Sequence, residues 1–191
     1  MILIIDNGSQ YTHLIKRNCR DMDFDAEIVN SKVPLADVLG MKPSKVILSG
    51  GPSSVYSPEE QGKVSQPLVK AVYEGKLDAP LLGICFGHQT VGYALGAKVE
   101  KGASAEYGIA KITLDNEGVL LKGLPKEFNA WVSHFDEVKE APAGFEVLAH
   151  SHTCKVEAME NAEKRIFSVQ FHPEVWHTEN GELILQNFLK V

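Results

Sequence analysis

The chain opens on an uninterrupted apolar run, Met1-Ile2-Leu3-Ile4-Ile5, and breaks at Asp6-Asn7-Gly8-Ser9. Such a run predicts a strand over residues 1–5 that is buried on both faces, since a strand with one wet face alternates apolar and polar positions; the polar tetrad predicts a turn. From Tyr11 the apolar positions Leu14, Ile15, Cys19 and Met22 recur at helical spacing, and Ala26, Ile28 and Val29 begin the next extended segment. Val46-Ile47-Leu48 predicts a short buried strand that ends in Ser49-Gly50-Gly51-Pro52, where two glycines imply a tight backbone. A helix is expected around 66–75, with Pro67 near its start. The apolar run ending at Leu81-Leu82-Gly83-Ile84 predicts another strand, which leads through Cys85 into a helix running to about Gly96, with Val91, Ala94 and Leu95 facing inward.

The texture changes after residue 97. Short alternating segments, such as Ile109-Ala110-Lys111-Ile112-Thr113-Leu114 and Trp131-Val132-Ser133, predict antiparallel strands. The apolar stretch Ile166–Phe171 predicts a strand closed by His172, because Pro173 biases the preceding residue toward extended backbone. A last helix over 181–190 gathers Leu183, Ile184, Phe188 and Leu189 on one face. Strands alternating with helices, followed by strands alone, make the expected fold an α/β, doubly wound, mostly parallel open sheet with an antiparallel strand-rich C-terminal part. No repeat or linker divides the chain, so residues 1–191 read as a single domain, a size that buries a substantial core.

Composition narrows the partners. A net charge of −6 with no Lys/Arg run leaves no electrostatic footprint for nucleic acid or an anionic membrane. Three cysteines, Cys19, Cys85 and Cys154, lack disulfide-like spacing and suit a reducing compartment. The opening apolar run meets Asp6 too early for a signal peptide or membrane span, so a cytoplasmic location is expected.

The chemistry concentrates at Cys85. Gly83 and Gly87 flank it between a strand and a helix, the pattern of a sharp elbow that presents a nucleophile. The first amides of the following helix carry partial positive charge, which favours an anionic sulfur, and the amide of Phe86 would face a developing oxyanion. Far downstream, His172-Pro173-Glu174 offers a base and a carboxylate near enough to orient it. The bland alternative, a buried structural cysteine and a structural histidine, explains neither the paired glycines nor the His-Pro-Glu segment. In an open α/β sheet, Gly50-Gly51, Cys85 and His172 all fall at carboxyl ends of strands, where ligands bind.

Gly83-x-Cys85-x-Gly87-x-Gln89, His172-Pro173-Glu174 and Gly50-Gly51-Pro52 together closely resemble the triad-type, or class I, glutamine amidotransferases, over essentially the whole chain. The resemblance implies a flavodoxin-like sheet in which Cys85 attacks the carboxamide of glutamine, His172 serves as acid and base, and Glu174 holds its tautomer. It further implies oxyanion donors at Gly51 and Phe86, and glutamine contacts from Gly51, Gln89 and the backbone of Ser133-His134-Phe135. Within the family, Asp6-Asn7-Gly8-Ser9-Gln10-Tyr11-Thr12, Glu106-Tyr107-Gly108 and Ser133-His134-Phe135-Asp136 look like the glutaminase part of GMP synthetases. That branch more usually has an apolar residue where Asn7 stands and an arginine where Ala105 stands. The likeness implies that the partner is a separate ATP-pyrophosphatase subunit, with ATP and Mg used there and no cofactor or metal in this chain. The alternatives are an amidotransferase subunit for another acceptor, of the anthranilate or aminodeoxychorismate type, a freestanding glutamine hydrolase or peptidase, and a non-catalytic module that has kept the fold.

Other signals are weaker. His150, His152 and Cys154 would share one face of an extended segment, yet lack a fourth ligand for zinc. Ser49-Gly50-Gly51-Pro52-Ser53-Ser54 is superficially similar to a phosphate-binding pyrophosphatase loop but has Ser53 where that loop has an acid. His88 invites comparison with cysteine peptidases that use the histidine after the cysteine, but Phe86 occupies that place. Asp21, Asp23 and Asp25 lack a calcium-loop pattern and read as a solvated helix end.

Overall fold

Alternate side chains of the first strand, β1 (Ile2–Asp6), enter two different cores: Ile2 and Ile4 pack on one face of the sheet, Leu3 and Ile5 on the other. That two-sided burial is why the run is apolar without interruption. The computed structural model, which describes residues 1–191, repeats this division in β3 (Lys45–Leu48), β4 (Leu81–Ile84) and β9 (Ile166–Val169). One face is covered by α1 (Thr12–Asp21) and α5 (Gly181–Leu189) through Ile15, Cys19, Ile184 and Phe188. The other is covered by α2 (Leu35–Met41), α3 (Ser65–Tyr73) and α4 (Phe86–Ala94) through Val38, Leu68, Val72 and Val91. Each such side chain contributes about 1.5–3 kcal/mol on burial.

A single nine-stranded sheet runs β2-β1-β3-β4-β9-β8-β7-β5-β6, with β2 at Ala26–Asn30, β5 at Val99–Leu114, β6 at Glu127–Val138, β7 at Glu146–His150 and β8 at Ala158–Asn161. Neighbours from β2 to β9 are parallel and those from β9 to β6 antiparallel, so the doubly wound half and the antiparallel C-terminal part form one sheet joined at β9. The parallel strands point the segments after β1, β3, β4 and β9 to one edge, the carboxyl edge, and β6 crosses the same region.

Three local features depart from the sequence pattern. Helix α2 has no counterpart in that pattern: its apolar positions Leu35, Val38 and Leu39 fill under two turns, too few for a period to show. Strand β8 carries Glu160 and Asn161 in buried positions, which masks it as a strand. Strand β9 ends at Val169, so His172 lies in the turn beyond the strand rather than at its last residue, with its amide donating to the Trp131 carbonyl of β6 at 2.9 Å. No helix is long and apolar enough to cross a membrane.

Candidate active site

Cys85 follows β4 and holds φ 53°, ψ −104°, a backbone region costly for any residue with a Cβ. The surroundings enforce it. Its amide donates to the Val169 carbonyl at 2.9 Å, and a Cβ on Gly83 would come within 2.5 Å of the Gly87 carbonyl oxygen. A methyl group on Gly87 would run into the Leu48 carbonyl, so the two glycines flanking Cys85 are close-approach residues, as an elbow requires. The sulfur is 3.7 Å from the Ser133 carbonyl and opens onto a cavity of about 520 Å³.

His172 is buried, and its Nδ1 lies 2.8 Å from Glu174 Oε1. Cys85 and His172 line the same cavity, with the sulfur near enough to act on the charge of the imidazole. Burial disfavours a charged ring, but the Glu174 carboxylate and then the Cys85 sulfur outweigh it and hold the His172 pKa well above the ordinary histidine value. The Tyr11 ring packs edge-on against the imidazole with centroids 5.1 Å apart, and its hydroxyl accepts from Trp131 Nε1 at 3.2 Å. The structure therefore brings Cys85, distant in sequence, to the same cavity as the hydrogen-bonded His172–Glu174 pair.

Gly51 enters the cavity wall opposite. A Cβ there would come 2.6 Å from the Asn7 carbonyl oxygen, so only glycine fits. Asn7 explains its own polarity: its amide donates to Ser49 Oγ at 2.9 Å, its side-chain nitrogen donates to the Ser49 carbonyl at 3.0 Å, and its oxygen accepts from Ser65 Oγ at 2.6 Å. The residue that stands where an apolar one is usual is a fully bonded clamp on the glycine loop. Phe86 is buried as the first residue of α4, where its amide has no partner within the helix. Ala105 lies exposed beside the irregularity in β5 between Lys101 and Glu106, where nothing in the structure calls for an arginine.

The remaining expected contacts line the same cavity. Gln89 Nε2 donates to the Asp136 carbonyl at 2.7 Å and to Gln170 Oε1 at 3.1 Å, which leaves its carbonyl oxygen for a ligand. Ser133, His134 and Phe135 arrive on β6, with the Phe135 ring part-exposed under Lys101. Sequence reasoning missed Tyr11, Lys101, Tyr107 and the side chain of Asp136, which receives Ser54 Oγ and, at 3.2 Å, the Tyr56 hydroxyl. No periodicity marks them; the β5–β6 pair brings Lys101, Tyr107 and Asp136 to the cavity, and Tyr11 reaches it from the start of α1.

His150, His152 and Cys154 are not brought together. Strand β7 ends at His150, whose Nδ1 pairs with Asp115 at the surface, while Cys154 turns inward toward the Val156 carbonyl. Cys154 instead lies near Glu106 and Glu157, with ligand atoms within 4.8 Å of one another. His88 is fully buried against Ser168 Oγ, and burial, then the nearby His134, push its pKa down to about 3, so it is a neutral core residue.

Glu157 is completely buried, and burial, followed by the negative Glu106, raises its pKa well above the ordinary 4.5. The native state then keeps a proton that the unfolded chain releases, so this residue makes stability fall as pH rises above about 4.5, by about 1.4 kcal/mol per pH unit until the native group ionises. Glu157→Gln is expected to remove that slope. Urea unfolding should show the variant gaining on the parent between pH 5 and pH 7; a gap independent of pH would refute it.

The family model for "Glutamine amidotransferase class-I" matches residues 3–191. The chain is 46% identical over 191 residues to a subunit of the glutamine-hydrolyzing GMP synthase of Pyrococcus abyssi, covering all of this chain and 98% of that one. It is 42% identical to the longer glutamine-hydrolyzing GMP synthase of Clostridium tetani, of which it covers 36%. The crystal structure of a Thermoplasma acidophilum protein assigned as a GMP synthase subunit superposes with a TM-score of 0.87 at 33% identity, covering 99% of this chain and 92% of that one.

Proposed function

Because the chain belongs to the class-I glutamine amidotransferases, we propose that it is the glutaminase subunit of a two-subunit GMP synthase. The observation that carries this reading is that Cys85 and the Glu174-bound His172 meet at one cavity, in a chain alike from end to end to proteins named as GMP synthase subunits. The Cys85 thiolate attacks the carboxamide carbon of glutamine, and the carbonyl oxygen takes up the negative charge. Amides of Gly51 and Phe86 donate to that oxyanion, each such donor being worth roughly 3–4 kcal/mol. The tetrahedral adduct collapses as His172 passes its proton to the nitrogen, the C–N bond breaks, and ammonia leaves a thioester. His172 then takes a proton from water, whose oxygen attacks the thioester carbon and releases glutamate and the thiolate.

Gln89 and the Ser133–Phe135 backbone hold the amino-acid end of glutamine. Ammonia passes to a separate ATP-pyrophosphatase subunit, which uses ATP with Mg to activate xanthosine monophosphate and forms GMP, AMP and pyrophosphate; this chain itself needs no cofactor. Three free cysteines support a reducing, cytoplasmic setting.

The test is a coupled assay with the purified synthetase subunit. Glutamine-dependent GMP formation is expected only with both chains, and ammonia release should rise at least about tenfold when partner, xanthosine monophosphate and ATP are all present, as a docking-completed site requires. Full glutaminase rate by the isolated chain would favour a freestanding hydrolase; ammonia release without GMP would point to another acceptor.

A further inference from the structure

We propose that the buried contact between Glu106 and His134 positions the Ser133–Phe135 backbone and thereby sets the affinity of the site for glutamine. The proposal rests on the glutaminase reading above and assigns a role to side chains which that reading leaves idle.

The two residues are cross-strand partners in the β5–β6 register, the first pair after the irregularity between Lys101 and Glu106. His134 Nε2 lies 2.9 Å from Glu106 Oε2, and the imidazole is 3% exposed. Its Nδ1 lies 3.1 Å from the Asp136 carbonyl. A carbonyl oxygen has no proton to give, so Nδ1 is the donor there, while Nε2 meets the carboxylate at close range but outside hydrogen-bond geometry. Glu106 is kept ionised: burial opposes its charge, but the adjacent His134, Thr153, Glu157 and Ser151 bring its pKa down to about 2. Ser151 Oγ donates at 2.7 Å and Thr153 Oγ1 also donates to the same oxygen. The ring is thus held by a hydrogen bond within its own strand and by close packing against the Glu106 carboxylate of β5.

What it fixes is the floor of the cavity. Residue 133 sets its carbonyl 3.7 Å from the Cys85 sulfur, and the Asp136 carbonyl that receives His134 also receives Gln89 Nε2 at 2.7 Å. One peptide oxygen therefore anchors two of the expected glutamine contacts. Behind the pair lies the fully buried Glu157, so the pair works in a weakly screened interior. A buried charge is costly to desolvate and adds little to stability over an apolar substitute, so a gain in fixed geometry is the stronger reason for this carboxylate.

Glu106→Gln keeps the size and an acceptor for Ser151 and Thr153 but withdraws the charge facing His134. In the reconstituted complex, KM for glutamine is expected to rise at least about tenfold while kcat stays within about threefold, the signature of lost substrate holding rather than lost chemistry. Two alkylating agents sharpen the test. Inactivation by diazo-oxo-norleucine, shaped like glutamine, should slow about tenfold, while alkylation of Cys85 by iodoacetamide, which needs no amino-acid cradle, should keep its rate within about twofold. An unchanged KM, or both alkylations slowing together, overturns the proposal. Should Glu106→Gln fail to fold, Thr153→Val removes one hydroxyl from the same carboxylate and is judged identically. A parent protein that reacts with iodoacetamide but not with the diazoketone would instead refute the glutaminase reading.

Discussion

Cys85→Ala is expected to reduce glutamine-dependent GMP formation to background, a loss of at least about 10⁴-fold, while leaving the partner's amination by added ammonium at its full rate. The magnitude follows from the removal of a triad nucleophile, after which only binding and oxyanion stabilisation remain. Folding should be spared. The φ of 53° is imposed by packing around the elbow and is as unfavourable for alanine as for cysteine, so the substitution deletes one sulfur without adding backbone strain. Thermal unfolding of the variant within a few degrees of the parent would establish that the lost activity is chemical. Glutamine turnover that survives the substitution, or loss of the ammonium-dependent reaction alongside the glutamine-dependent one, would refute the division of labour between the two chains.

How much of this is visible in the sequence depends on the length scale of each signal. Burial on both faces writes itself as an unbroken apolar run, so β1, β3 and β4 are readable from Ile2–Ile5, Val46–Leu48 and Leu81–Ile84 alone. The elbow is readable because Gly83 and Gly87 serve contacts no other residue permits. The triad is readable as candidates, while its assembly depends on β9 lying beside β4, a pairing between segments far apart in sequence. Helix α2 is too short to display a period, and Pro34 before it reads equally well as a loop. The histidines near residue 150 mislead because a shared face needs extended backbone through 154, whereas β7 ends at His150 and the chain turns to bury Cys154. Glu106 and His134 come from two strands and Glu157 from the bend before β8, and all three look like solvated positions in one dimension. Only the β5–β6 register and the passage of residue 157 beneath it turn them into a buried cluster.

The same dependence on a partner charge makes Glu174→Gln the second large loss, expected at about 10² to 10⁴ in kcat. Glu174 Oε1 accepts from His172 Nδ1 at 2.8 Å, while Oε2 is buried without a partner. A carboxamide there has two poor options. With its oxygen toward Nδ1 it keeps the tautomer but loses the charge that balances an imidazolium; with its NH₂ group toward Nδ1 it forces the proton onto Nε2, which then cannot accept from the sulfur. The pH dependence separates charge from geometry. Burial lowers the His172 pKa, and the Glu174 carboxylate is the largest influence raising it, so neutralising that carboxylate must bring the pKa down. The alkaline limb of kcat/KM, where His172 gives up its proton, is therefore expected to move to lower pH in Glu174→Gln. Stability should move with it. A histidine whose native pKa is raised stabilises fully below its unfolded value of about 6.5, and that contribution disappears as pH climbs through the native value. The unfolding free-energy gap between parent and Glu174→Gln should accordingly be widest near pH 6 and narrow on the alkaline side. An alkaline limb that stays in place while the rate collapses would mean that Glu174 acts only by holding the ring, and that its charge has no part in the proton transfer.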